Sequence, residues 1–258
     1  FGHFLKGEDT GWLQNQPKVQ LQIRYPGEVF VERHENEWPL ARTDWTKYYI
    51  HPDTMTISTE KQVTESSAEY GGFSDGLTFL SDPLEADLEI TGPLASKLWV
   101  SSETNDADLF LVLRAFSPDM KEVTFQGALD PHTPLAQGWL RCSHRKLDKD
   151  LTLPYRPYHT HDEIQPLNKD ETYEVDVEVW PTCIVIPKGY RLGFSVRGKD
   201  YVYPGDSGTD FGEYAGWTGC GLFKHDDPVD RPAEIFGGAV KLHTGADRQA
   251  YIMLPIIP

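Results

Sequence analysis

The chain has 258 residues, 39% of them hydrophobic and 12% aromatic, which is enough apolar material for one large β-sandwich core or two small domains. A formal charge of −16 and a pI near 4.9 repel phosphate backbones and anionic headgroups, so nucleic acid and membrane surfaces are poor partners. The longest apolar runs, such as Cys183-Ile184-Val185-Ile186, fall far below the roughly 20 residues that a membrane-spanning helix needs.

In chain order, residues 1–5 read as the end of a helix stopped by Gly7 in the manner of a C-cap. Val19-Gln20-Leu21-Gln22-Ile23 then alternates apolar and polar, as a strand with one buried face does. Strands are predicted over 47–50, 55–58 and 98–101, and Ala86-Asp87-Leu88-Glu89-Ile90 and Asp108-Leu109-Phe110-Leu111-Val112-Leu113 repeat the alternation. Residues 172–180 give the longest alternating stretch, and 192–196, 240–243 and 250–254 complete the set, with a short helix expected near 230–236. The 22 Gly and 19 Pro interrupt the chain too often for long helices. Residues 198–221, rich in Gly, Asp and Tyr and without a period, read as a long loop. The expectation is an all-β fold, a two-sheet jelly-roll β-sandwich of galactose-binding-domain-like type with a short N-terminal helical remnant.

Three widely spaced cysteines, Cys142, Cys183 and Cys220, form no C-x-x-C pair and fit core packing in a reducing compartment, hence a cytoplasmic location.

Three features invite a chemical reading. Gly72-Phe73-Ser74-Asp75-Gly76 fits the G-x-S-x-G pattern of a nucleophile elbow, which requires a buried strand entering and a helix leaving. The approach, residues 64–70, is polar throughout and the exit, Leu77-Thr78-Phe79-Leu80, reads as a strand, so a glycine-rich turn is the better account. His159-Thr160-His161-Asp162-Glu163 and His225-Asp226-Asp227 carry metal-ligating side chains, but a site needs partners from elsewhere in the chain and the sequence identifies none; no metal or other cofactor is expected. The seven Trp residues, Trp12, Trp38, Trp45, Trp99, Trp139, Trp180 and Trp217, suit either core and interface packing or the stacking platform of a carbohydrate-binding jelly roll.

Several stretches taken in order carry a family resemblance. They are Phe4-Leu5-Lys6-Gly7, Glu37-Trp38-Pro39-Leu40, Leu77-Thr78-Phe79-Leu80-Ser81-Asp82-Pro83-Leu84, Glu89-Ile90-Thr91-Gly92-Pro93, Asp106-Ala107-Asp108-Leu109, Leu140-Arg141-Cys142-Ser143-His144-Arg145 and the segment 223–232. Together they resemble the C-terminal jelly-roll domain of the CocE/NonD acyl esterases, which include cocaine esterase, and of the X-Pro dipeptidyl peptidases. The resemblance implies a parent serine hydrolase acting on esters or amides through a Ser-His-Asp triad held by a preceding α/β-hydrolase domain. It makes residues 1–16 the tail of that domain and 17–258 the sandwich, which would pack on the hydrolase domain and help wall its cleft. His3 lies inside the helix motif and Ser74 has no counterpart in the triad, so neither is carried over as catalytic, and this chain is expected to lack a triad. Tyr70 and Phe73, flanked by Gly71, Gly72 and Gly76, are candidate walls of the cleft. The expected partners are the hydrolase domain of the same parent chain and, through the uncovered apolar face, a second copy in a homo-oligomer.

Overall fold

The computed structural model describes residues 1–127, 130–205, 219 and 224–258. The strands are β1 (Val19–Tyr25), β2 (Val29–Glu35), β3 (Asp44–His51), β4 (Thr56–Ser58), β5 (Ser66–Gly71), β6 (Leu77–Leu80), β7 (Leu88–Ser102), β8 (Asp108–Phe116), β9 (Ala136–Arg141), β10 (Tyr173–Ile186), β11 (Arg191–Arg197), β12 (Ala239–Thr244) and β13 (Tyr251–Ile257). Among the described residues the helices are α1 (Gly2–Lys6), α2 (Trp12–Asn15), α3 (Ala233–Phe236) and a 3₁₀ turn at Cys142–His144. The fold is all-β, as its alternating pattern requires.

Hydrogen bonding joins the strands in the order β2-β1-β10-β7-β13-β3-β4-β6-β11-β8-β9, with β12 pairing β5 and β7. The two layers of the sandwich are therefore one curled sheet. Its curl originates in β7, where the sequence pattern suggested two separate strands. Register shifts occur on both neighbours of the same stretch: in β10 between Val179 and Thr182, which pair with Leu94 and Gly92, and in β13 between Met253 and Ile256, which pair with Ala95 and Ile90. Bulges bend a strand and increase its twist. Pro93, which cannot donate to a ladder, sits between them. The curl carries β9, at the end of the path, back against β10, where a Cβ on Gly138 would lie 2.2 Å from the Glu178 carbonyl oxygen. Only glycine permits that approach.

All nine residues of β8 are buried, as expected of a strand covered on both faces. Its Leu111 packs with Leu98, Val177, Phe194, Leu242 and Ile252, none of them exposed, in the main core. Each such side chain contributes about 1.5–3 kcal/mol by leaving water. Leu21, Ile23 and Val185 form a small second cluster beneath β1.

Gly7 ends α1 with φ 67°, as the C-cap pattern predicts. The helix expected near 230–236 is the single turn α3. The strands β2 and β5 escaped the periodicity reading for physical reasons. In β2, Val29, Phe30 and Val31 are all exposed, so no alternation arises. In β5 only Tyr70 is buried, and the half-buried positions before it hold the small residues Ser66 and Ala68. Of the loop 198–221, residues 198–205 carry no regular element, and most of the remainder, with Trp217 and Cys220, lies outside the described residues. Cys142 is buried in the core and Cys183 is half-buried, both as free thiols.

Candidate functional site

The turn 72–76 joins β5 to β6, so the polar approach to Ser74 is a strand and the exit is a strand as well. A nucleophile elbow would need a helix at the exit. The hydroxyl of Ser74 accepts the Gly76 amide at 3.1 Å, and among the described residues no histidine is bonded to it. The glycines are dictated by crowding. A Cβ on Gly72 would stand 1.9 Å from the Phe236 carbonyl oxygen, and Gly76, at φ 68°, presses on the Val196 carbonyl. Asp75 is paired with Arg197 and, at 3.4 Å, with Lys199. Partial burial alone would raise its pKa, but these two cations hold it below the usual carboxylate range.

Tyr70 and Phe73, three residues apart, face opposite environments. Tyr70 pairs with Val240 across β12 and is buried in the core, where loss of water pushes its phenol far up. Phe73 is 40% exposed. Its ring rests on the guanidinium of Arg231, whose central carbon is 5.0 Å from the ring centroid.

Arg231 organises this end of the sandwich. It is buried, and it donates from Nε to Asp108 Oδ2 (2.8 Å), from Nη1 to the His225 carbonyl (2.7 Å) and from Nη2 to the Gly198 carbonyl (2.7 Å). Asp108 also accepts two bonds from Arg141, which reaches on to Asp230 at 2.9 Å. The planar fork of arginine suits a role that fixes three chain segments at once. Sequence reasoning had no signal for Arg231 beyond its place in the family motif, because its partners come from residues 108, 198 and 225.

Two clefts flank the network. One, of about 400 Å³, is lined by Phe73, Val202, Pro228 and Arg231. The other, of about 460 Å³, is lined by Trp139, Trp180, Glu178 and a group of histidines. His225 borders both and is held by Asp200, which accepts its backbone N–H at 2.6 Å and meets Nδ1 at 2.9 Å. Burial raises the Glu178 carboxyl above its ordinary value. Trp139 and Trp180 meet edge to face at 72°, and Trp45 is stacked on Tyr155, so these rings do not offer the coplanar surface of a sugar platform. Among the described residues no group of three or more His, Cys, Asp or Glu side chains is arranged to hold a metal ion. No described helix is long and apolar enough to cross a membrane.

Residues 10–209 match the family described as the X-Pro dipeptidyl-peptidase C-terminal non-catalytic domain. The chain belongs to this family. The chain is 24% identical to the cocaine esterase of Rhodococcus sp. (strain MB1 Bresler), over the whole of this chain and 44% of that protein's length. A putative serine esterase of Mycobacterium tuberculosis (strain CDC 1551 / Oshkosh) is 30% identical over 77% of this chain and 35% of its own. The chain thus spans less than half the length of these relatives. A crystal structure of a CocE/NonD family hydrolase from Staphylococcus aureus superposes over the whole chain, which covers 44% of that structure, with a TM-score of 0.82 at 24% identity. An aminopeptidase from a marine sediment archaeon gives a TM-score of 0.66 at 15% identity, again over the whole chain and 43% of its own. These likenesses establish an X-Pro dipeptidyl-peptidase C-terminal fold.

Proposed function

We propose that this chain is the accessory part of a longer serine hydrolase, acting on ester or peptide bonds, and that it docks on an α/β-hydrolase domain of the same polypeptide. The observation that carries the reading is the state of residues 1–16. α1 and α2 bury no side chain, yet the segment bears Phe1, Phe4, Leu5, Trp12 and Leu13, all exposed, with Phe1 at 95%. Apolar side chains of this size stay in water only at a cost, so a covering surface is the natural explanation. The segment is read as the tail of the hydrolase domain, with the sandwich beginning at residue 17.

The same reading gives the turn 72–76 a task. Phe73, fixed by Arg231 beneath it, is the proposed wall that the sandwich lends to the neighbouring cleft, and Tyr70 anchors the turn from the core side. The catalytic groups belong to the hydrolase domain; this chain supplies shape and exclusion of water. The test is steady-state kinetics of the parent polypeptide on an aryl ester. Phe73→Asp is expected to lower kcat/KM by roughly tenfold or more, as an apolar wall contact of about 1.5 kcal/mol implies. Unchanged kinetics would remove the turn from the cleft.

A further inference from the structure

We infer that His144 and His161 form a two-imidazole site for a borderline divalent transition metal such as Cu²⁺ or Zn²⁺, at the rim of the Trp139–Trp180 cleft. The inference is independent of any docking on a hydrolase domain.

The geometry comes first. His144 Nδ1 and His161 Nδ1 are 3.2 Å apart. Two nitrogens bound at about 2.0–2.1 Å to one tetrahedral ion stand about 3.3 Å apart, so the pair already has the spacing of a chelate. In the metal-free protein the same spacing is an N–H···N hydrogen bond. A metal replaces the shared proton, which moves to the Nε2 of the donating ring by tautomerisation.

A third ring borders the pair. His159 Nε2 lies 3.0 Å from the Asp176 carbonyl oxygen, and because a carbonyl can only accept, Nε2 carries the hydrogen and Nδ1 keeps a free lone pair. A backbone carbonyl on the remote nitrogen is the usual support of a metal-binding histidine. The His159 ring centroid is 6.0 Å from that of His161. This is too loose for a ready three-ligand site, so water completes the coordination.

The rings are also pre-positioned. Residues 143–148 and 158–165 run together as a ribbon, with Gln165 N–H bonded to the Ser143 carbonyl (2.8 Å), Thr160 N–H to Lys146 (3.1 Å) and Asp148 N–H to Tyr158 (2.8 Å). Lys146 is paired with Asp162 across it at 3.0 Å. The left-handed backbone at His161, φ 51°, is a conformation that few non-glycine residues adopt and that this ribbon sustains. The chain's charge of −16 favours a cation in its neighbourhood. Sequence reading singled out His159 and His161 but could not supply the partner, which arrives from the 3₁₀ turn fifteen residues before His159.

The probes are Zn²⁺ by calorimetry and Cu²⁺ by electron paramagnetic resonance, on the 258-residue chain. One ion per chain at sub-millimolar metal, with nitrogen hyperfine structure from imidazole on copper, is the expected result. His144→Gln and His161→Gln should each weaken binding by roughly tenfold or more, while His34→Gln on the exposed β2 leaves it unchanged. A melting curve of each variant separates loss of the site from loss of the fold, and His161, being exposed, is the safer of the two. No binding at millimolar metal, or binding that survives both substitutions, would overturn the assignment.

Discussion

Replacing Arg231 by methionine keeps an unbranched stem and removes the fork, and the structure sets the size of the effect. Asp108 is not stranded, because Arg141 still donates to it from Nε at 2.8 Å and from Nη2 at 3.1 Å. The carbonyls of His225 and Gly198 each lose a charged donor at 2.7 Å. An unsatisfied buried acceptor costs about 1–3 kcal/mol, and some of that is offset because methionine, unlike guanidinium, carries no desolvation penalty. The net expectation is a loss of about 3 kcal/mol, which in a domain of this size lowers Tm by roughly 6–12 °C. Urea denaturation of the chain measures it, with the midpoint falling and the slope unchanged. Arg231→Lys keeps the charge but cannot reach three segments, so it should recover only a minor part of the loss. A change below about 1 kcal/mol for Arg231→Met would refute the view that this residue ties the 198 and 225 segments to β8.

Other outcomes follow from the same structure. A fluorophosphonate should leave Ser74 unlabelled, and the isolated chain should not hydrolyse an aryl ester above background; turnover abolished by Ser74→Ala would contradict this. Leu98→Ala, at a fully buried position, should cost about 2–5 kcal/mol by denaturant titration, and a cost below about 1 kcal/mol would question the packing of β7. His243 lies on β12 bonded to Ser101, and its pKa is lowered first by burial and then by Lys241 and Arg248, with Glu65 opposing them. A histidine with a depressed folded pKa is protonated more readily when unfolded. Its contribution is therefore complete above about pH 6.5 and declines as pH falls from there toward the folded value. His243→Gln should flatten the stability profile in that window, and an unaltered profile would rule the residue out.

Much of the architecture was legible because a half-buried strand writes its period into the side chains. β1, the first half of β10 and β12 alternate cleanly, and the cap at Gly7 is set by its own conformational freedom. What periodicity cannot express is a strand with an unusual environment. β2 has an exposed edge, β5 begins with small polar residues, and β7 bends through Gly92 and Pro93, so a continuous 15-residue strand reads as two. The candidate face was legible only in part. Phe73 stood out as an aromatic among glycines, but its support by Arg231, the burial of Tyr70, and the meeting of His144 with His161 depend on segments brought together by the curl of the sheet. Local sequence holds no trace of such encounters.

The docking reading is tested most directly by hydrogen–deuterium exchange, compared between this chain alone and the same residues within the parent polypeptide. Slower exchange in the parent at residues 1–16 and 72–76, with the amides of β8 unchanged, is the predicted result. Equal exchange at both segments in the two proteins would mean that nothing covers them, and would contradict it.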